Sequence, residues 1–159
     1  MKELYYPVAL KLKGITVVVA GGGIVAERKV KTLLGFGARV RVVSPRVTPS
    51  LRGYFLARKI TWVNRFIKPT DVKGAGLIIA ATSDAAVNIK MSRWAKAQGI
   101  LINVVDRAGL SSFISPAVFS KHRATVAVYT HGRDPALSRD LKNFLKENWD
   151  VFLSYRNRL

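Results

Sequence analysis

Between Ile15 and Phe36 the sequence changes period once, sharply, and that change limits the fold more than any other feature. Ile15–Ala20 is an apolar, β-branched run without the alternation of a half-exposed strand, which predicts a strand buried on both faces. Gly21-Gly22-Gly23 follows. Val25, Val30, Leu33, Leu34 and Ala38 then fall at helical spacing, with Glu27, Arg28, Lys29 and Lys31 on the other face. A buried strand, a tight glycine turn and an amphipathic helix are the opening unit of an α/β domain built on a parallel sheet.

The remaining sequence continues that rhythm. Gly37 reads as the C-cap of the first helix, and Val40–Val43 as a second strand ending at Ser44-Pro45. A short helix is predicted over Pro49–Leu56, a third strand over Ile60–Val63 and a fourth over Leu77–Ala81. Ser83 or Asp84 caps the next helix, whose inner face carries Val87, Met91, Trp94 and Ala95; Gly99 and a fifth strand, Ile100–Val104, come after it. The fold class expected is α/β, a Rossmann-type parallel sheet with right-handed crossovers. Beyond Asp106 the pattern changes to two short strands, Phe113–Val118 and Ala124–Tyr129, separated by Lys121-His122-Arg123. Asp134-Pro135 then opens a final helix with an apolar stripe of Leu137, Leu141, Phe144, Leu145 and Phe152. Such a stripe needs a partner surface, either a second copy of the chain or its own sheet. Residues 1–112 are therefore read as a dinucleotide-binding domain, and 113–159 as a short strand and helix appendage for dimerisation and substrate contact.

Composition narrows the chemistry. At 159 residues and 49% hydrophobic the chain can bury one real core. It contains no cysteine and two histidines, His122 and His131, so thiolate metal sites and disulfides are excluded and no metal site is expected. No apolar run is long enough to span a bilayer, and the N-terminus lacks the order of a signal peptide, so a cytoplasmic protein without membrane contact is expected. Lysine and arginine number 27 against 9 acidic residues, a formal charge of +18 that favours anionic partners. The charges are spread along the chain and fit a solvated surface as well as a functional basic face. No RNA- or DNA-binding motif accompanies them, so nucleic acid is not an expected partner.

The residues placed to carry chemistry lie at the strand ends. Gly21, Gly22, Gly23, Ile24 and Val25, with Ala26, fit G-x-G-x-x-A, a turn that lets backbone approach a pyrophosphate and offers it the N–H groups of a helix N-terminus; a purely structural glycine turn is the alternative. The acidic residue expected about 20 positions later for ribose hydroxyls is absent, and Ser44, Pro45 and Arg46 stand there instead. Ser44 can bond a ribose, and Arg41 or Arg46 can pair with a 2′-phosphate or simply add surface charge, which leaves NAD and NADP both open. Thr82, after the fourth strand, is a candidate cofactor contact; capping and turn formation account for Asp84 and Asn88. Asp106 ends the fifth strand on the same edge. It can act as a general base, orient a cationic substrate nitrogen, or close a turn.

Taken together, several segments resemble one family over nearly the whole chain. They are Tyr6-Pro7 through Leu12-Lys13-Gly14, the glycine turn with Val25-Ala26-Glu27-Arg28-Lys29, Ala80-Ala81-Thr82 with Asp84 and Asn88, Asn103-Val104-Val105-Asp106, and Ser112-Phe113 with Pro116. In combination and order they resemble the precorrin-2 dehydrogenase family, which includes the N-terminal part of siroheme synthases. The resemblance implies NAD-dependent oxidation of precorrin-2, an anionic tetrapyrrole with eight carboxylates, to sirohydrochlorin, in some members followed by iron insertion. It also implies a homodimer. By position Asp106 matches the family's catalytic aspartate, Gly21 to Val25 its pyrophosphate turn, and Ser44-Pro45-Arg46 its ribose-side loop.

Two departures from the family pattern stand out. Thr130-His131-Gly132-Arg133-Asp134 replaces a serine- and glycine-rich segment, and the sequence ends at Leu159 without the longer helical region or the methyltransferase domain of many relatives. Dehydrogenation is thus implied more firmly than ferrochelatase activity. A function of another class, a non-enzymatic dinucleotide-sensing regulatory module, would suit a bare Rossmann domain with a dimerising tail. Asp106 separates the two, since a sensor needs no carboxylate beside the nicotinamide.

Overall fold

The computed structural model describes residues 5–156, which form two compact units. The larger, Pro7–Phe113, is a five-stranded parallel sheet flanked by helices. Its elements are β1 (Thr16–Ala20), α1 (Ile24–Gly35), β2 (Arg39–Val43), α2 (Pro49–Leu56), β3 (Ile60–Val63), β4 (Leu77–Ala80), α3 (Ala85–Ala97) and β5 (Leu101–Val104). The strand order is β3-β2-β1-β4-β5, so the winding reverses between β1 and β4. Ligands of open α/β sheets bind outside the carboxyl ends of the strands at such a reversal.

The central strands are apolar on both sides because both sides are covered. Val17 and Val19 pack with Val40, Val42 and Ile79 against Ala26, Val30 and Leu33 of α1 and Leu51 of α2. Val18 and Ala20 face the other way, with Ile78, Ile102 and Val104, onto Met91 and Ala95 of α3. Val17 through Ala20 have no exposed surface at all. Burying each valine contributes about 2 kcal/mol, which fixes the strand and with it the position of the turn it feeds.

Helix ends follow local rules. Past α1, Phe36 is the C-cap and Gly37, at φ +73°, is the next residue, one place beyond the expectation. The Ala38 N–H bonds to the Leu33 carbonyl at 3.2 Å and the Gly37 N–H to Leu34 at 3.0 Å, the paired bonds of a Schellman motif. The same pair closes α2, where Lys59 N–H bonds to Tyr54 and Arg58 N–H to Phe55, both at 2.9 Å. There the left-handed position is Arg58, at φ +56°.

Two local features were not legible beforehand. Between β3 and β4 a short 3₁₀ turn, Pro69–Val72, buries Asp71, whose carboxylate accepts both Arg65 guanidinium nitrogens and the Lys68 N–H, each at 2.7 Å. The Arg65 hydrogen bonds hold that carboxyl below its ordinary value of 3.8, against the opposing effect of burial. After β5 the chain returns along the sheet edge. Ser112 Oγ accepts the Ile102 N–H and Ser111 Oγ the Val104 N–H, each at 2.8 Å, so hydroxyls cover backbone groups that an edge strand would leave open.

The smaller unit takes in Tyr5, Tyr6 and the described residues from Ile114 onwards. It holds an antiparallel hairpin, β6 (Ala117–Lys121) and β7 (Ala124–Val128), followed by α4 (Pro135–Glu147) and α5 (Trp149–Arg156). β6 starts four residues later than expected. Phe113 is engaged on the edge of β5, its N–H bonding to the Ile102 carbonyl, and Pro116 has no N–H to give a ladder. The expected single final helix is two. Asn148 ends α4, its side-chain amide bonding back to the Phe144 carbonyl at 2.9 Å. Asp134 caps α4 through the Leu137 N–H at 2.8 Å. Trp149 is buried against Phe119 and donates to His122 Nδ1 at 3.2 Å. Leu137, Leu141 and Phe144 are exposed on α4. Among the described residues, no helix is long and apolar enough to cross a membrane.

Candidate functional site

Hydrogen bonds run straight across the carboxyl edge of the sheet and set the level of every candidate residue. Gly21 N–H bonds to the Val43 carbonyl at 3.1 Å, Ala81 N–H to Ala20 at 2.8 Å, and Val105 N–H to Ala80 at 3.1 Å. The first residues beyond β1, β2, β4 and β5 therefore stand abreast.

The three glycines do three different things. Gly21 lies at φ +111°, and a Cβ there would run into the Ala81 carbonyl, so the first glycine allows the β4 loop to close against the turn. A Cβ on Gly22 would strike the Arg46 carbonyl and crowd Ser44 Oγ, and the Gly22 carbonyl accepts the Thr48 N–H at 2.9 Å. The second glycine thus docks the loop that follows β2. Gly23 has nothing within 4 Å of where its Cβ would be. It is the N-cap of α1, in extended conformation, and supplies no side-chain acceptor to the helix.

That third position gives the site its chemistry. Glu27 N–H makes the first helical bond, to the Gly23 carbonyl, which leaves the preceding N–H groups of Ile24 and Val25 at the open helix end. Ile24 and Val25 are exposed beside it. Open space, unspent donors and the positive end of a helix dipole fit a dinucleotide pyrophosphate, an anion that needs close backbone approach.

On the β2 side, Ser44 is buried and its hydroxyl donates to the Arg46 carbonyl at 2.6 Å, while its own carbonyl accepts Trp62 Nε1 at 2.9 Å. Ser44 therefore shapes the loop, and its hydroxyl proton is engaged within it. Pro45 and Arg46 are exposed at the loop's outer side. The residues that follow β2 here, Ser44, Pro45 and Arg46, carry no carboxylate.

On the β4–β5 side, Ala80 pairs with Val104, so Thr82 and Asp106 each lie two residues past the last paired position of adjacent strands. Asp84 caps α3, its carboxylate accepting Ala86 N–H at 2.8 Å and Val87 N–H at 3.1 Å. Asn88 departs from the turn and capping role expected of it. Fully buried, it joins Thr82 to Asp106 through its side chain, accepting from Thr82 Oγ1 at 2.8 Å and donating to Asp106 Oδ1 at 3.4 Å. Sequence spacing could not show this contact, because Asn88 and Asp106 are separated by a helix and a strand. Asp106 itself is exposed at the crevice edge.

One cation of α1 is strongly perturbed. Burial, reinforced by the charge of Arg28, pushes the Lys29 amine down from 10.5 to about 8.

Comparisons with known proteins bear on the family and the fold. Residues 8–117 match the family described as "Putative NAD(P)-binding". The siroheme synthase of Methylobacillus flagellatus is 40% identical over 136 residues, 86% of this chain and 29% of that protein. Siroheme synthase 1 of Aeromonas salmonicida is 37% identical over 142 residues, 89% of this chain and 30% of that protein. The chain thus spans less than a third of the length of these curated relatives. A solved structure, "SirC, precorrin-2 dehydrogenase", superposes with a TM-score of 0.78 at 31% identity, covering 91% of this chain and 71% of that one.

Proposed function

Since the chain belongs to the precorrin-2 dehydrogenase family, with its NAD(P)-binding fold, we propose that it oxidises precorrin-2 to sirohydrochlorin with NAD in siroheme biosynthesis. The observation that carries the proposal is the carboxylate of Asp106 standing on the same sheet edge as an open glycine turn. A module that only sensed dinucleotides would have no use for it.

The reaction removes two hydrogens from the macrocycle. The bound dinucleotide supplies a two-electron acceptor for one of them as hydride. The chain supplies the rest. N–H groups of Ile24 and Val25 would hold the pyrophosphate, Gly21 and Gly22 keep both flanking loops tight on the turn, and Pro45 and Arg46 would border the ribose. Thr82 borders the cofactor on the β4 side. Asp106 takes the second hydrogen as a proton, or holds a pyrrole N–H in place while that proton passes to water. The +18 charge suits a substrate with many carboxylates and favours its approach. Arg46 would also face a 2′-phosphate, so NADP belongs in the test as an alternative acceptor.

The exposed α4 stripe of Leu137, Leu141 and Phe144 is the surface of a homodimer, and the protein works in the cytoplasm; sedimentation of the intact chain as a monomer would remove the first of these. Asp106→Ala and Asp106→Asn test the assignment of the carboxylate. Both should keep dinucleotide affinity within a few-fold, roughly 1 kcal/mol, and Asp106→Ala should slow precorrin-2 oxidation about 100- to 10,000-fold, to a residual rate that a single turnover still reads. Wild-type turnover by Asp106→Ala under saturating dinucleotide would make that carboxylate structural.

A further inference from the structure

α3 packs on the sheet through a stripe that includes Asn88, Met91 and Ala95, all without exposed surface. Apolar residues satisfy such a stripe without further conditions. An amide satisfies it only if its hydrogen bonds to water are replaced, and a buried amide left unbonded is costly. Asn88 therefore has to be explained by what it bonds.

All its side-chain partners lie at the carboxyl edge of the sheet. Oδ1 accepts from Thr82 Oγ1 at 2.8 Å, and Nδ2 donates to the Thr82 carbonyl at 3.1 Å and to Asp106 Oδ1 at 3.4 Å. One side chain thus uses both of its amide hydrogens and its oxygen on two loops that emerge from neighbouring strands. Ordinary turn bonds already hold the Thr82 loop, since Thr82 Oγ1 also accepts the Asp84 N–H at 3.2 Å. Asp106 is different: among the described residues, Asn88 makes the one hydrogen bond found for its carboxylate.

We infer that Asn88 is a positioning residue for the dehydrogenation, locking the Asp106 carboxylate at a fixed distance from Thr82 through its Oδ1 and leaving Oδ2 as the oxygen that meets the substrate. The inference rests on the reading of Asp106 given above. A strand-end aspartate with an unrestrained χ1 would sample several rotamers at the crevice edge, and most would place its oxygens away from a macrocycle held over the cofactor. A single donor aimed at one oxygen selects the rotamer. Because that donor comes from the helix that also holds Thr82, cofactor side and proton acceptor are fixed to one rigid element.

The test is anaerobic kinetics on full-length protein carrying Asn88→Ala, the isosteric Asn88→Asp, Asp106→Ala, and the Asn88→Ala/Asp106→Ala pair. Dinucleotide affinity is measured separately by calorimetry. Asn88→Ala should lower kcat at least 10-fold with KM for precorrin-2 within 3-fold. Asn88→Asp, which replaces the donor with a second carboxylate, should be slower still. In the Asp106→Ala background, single-turnover rates should change less than 2-fold on adding Asn88→Ala, because the group being positioned is gone. A purely structural asparagine would slow both backgrounds alike, and that result overturns the inference. Wild-type kcat in both Asn88 variants, with Asp106→Ala impaired, overturns it while leaving Asp106 in place. Full activity in Asp106→Ala instead removes the reading beneath it. Loss of the folded, dinucleotide-binding unit in both Asn88 variants would identify Asn88 as a residue that holds the fold, and would also overturn the inference.

Discussion

Replacing Gly23 with aspartate should separate stability from binding, moving them in opposite directions. Its Cβ meets nothing within 4 Å, and the backbone there is extended, as an N-cap requires. Aspartate is among the best N-cap residues, and its carboxylate would accept helix N–H groups that now have no side-chain acceptor. The cap and its charge at the positive helix end should each add a few tenths of a kcal/mol, raising Tm by about 1–3 °C. Those N–H groups are the ones a pyrophosphate would use. A carboxylate about 5 Å from a phosphate charge costs about 1–3 kcal/mol at effective dielectrics between that of water and about 20. With at least one charge-assisted hydrogen bond lost, the total is about 2–4 kcal/mol, a Kd for dinucleotide raised about 30- to 1000-fold. Calorimetric titration with NAD, beside thermal unfolding without ligand, gives both numbers. A Kd within 2-fold of wild type, or a Tm lowered by several degrees, would refute the placement of the pyrophosphate at Gly23. Gly21→Ala is the control for the opposite case. It should destabilise the chain without ligand, because its methyl group would collide with the Ala81 carbonyl and the backbone sits at φ +111°.

Three further outcomes follow from local geometry. Arg58→Gly should raise stability by ~0.5–1 kcal/mol in urea unfolding, since Arg58 holds the left-handed position of a Schellman motif at φ +56°. Asp71→Asn should flatten the acid side of the stability profile. The lowered carboxyl contributes stability that is fully present above its ordinary value of 3.8 and is lost as pH falls through the lower folded value, so wild type and variant should converge in acid. Lys29→Met should be more stable than wild type at pH 7. The unfolded chain binds the extra proton between about 8 and 10.5, so wild-type stability gains from Lys29 as pH rises through that window, and urea midpoints at pH 7 and pH 10 should show the gain vanish in the variant.

The strands were legible because burial on both faces leaves an unbroken apolar run, and in β1 that run ends at a glycine whose conformation no other residue adopts easily. Helix ends were legible where Gly37, Gly99, Asp84 and Asp134 follow capping chemistry. What stayed hidden depends on partners distant in sequence. Ser112 binds β5 ten residues back, which moved the start of β6, and Asn88 reaches Asp106 across 18 residues. Neither pairing leaves a periodic trace. The break at Asn148 is also weakly encoded, since apolar spacing continues through Leu145 and Phe152 on both sides of it. Among the candidate residues, the sequence located Gly21–Gly23, Ser44–Arg46, Thr82 and Asp106 past strand ends and Ile24 and Val25 at a helix start, but it could not say that the Ser44 hydroxyl is engaged by the Arg46 carbonyl.

Anaerobic incubation of the purified chain with precorrin-2 and either NAD or NADP tests the central claim most directly, with sirohydrochlorin and reduced dinucleotide followed together by absorbance. The account predicts one reduced dinucleotide for each sirohydrochlorin formed, with NAD as acceptor. Tight NAD binding without any oxidation of precorrin-2 would contradict it.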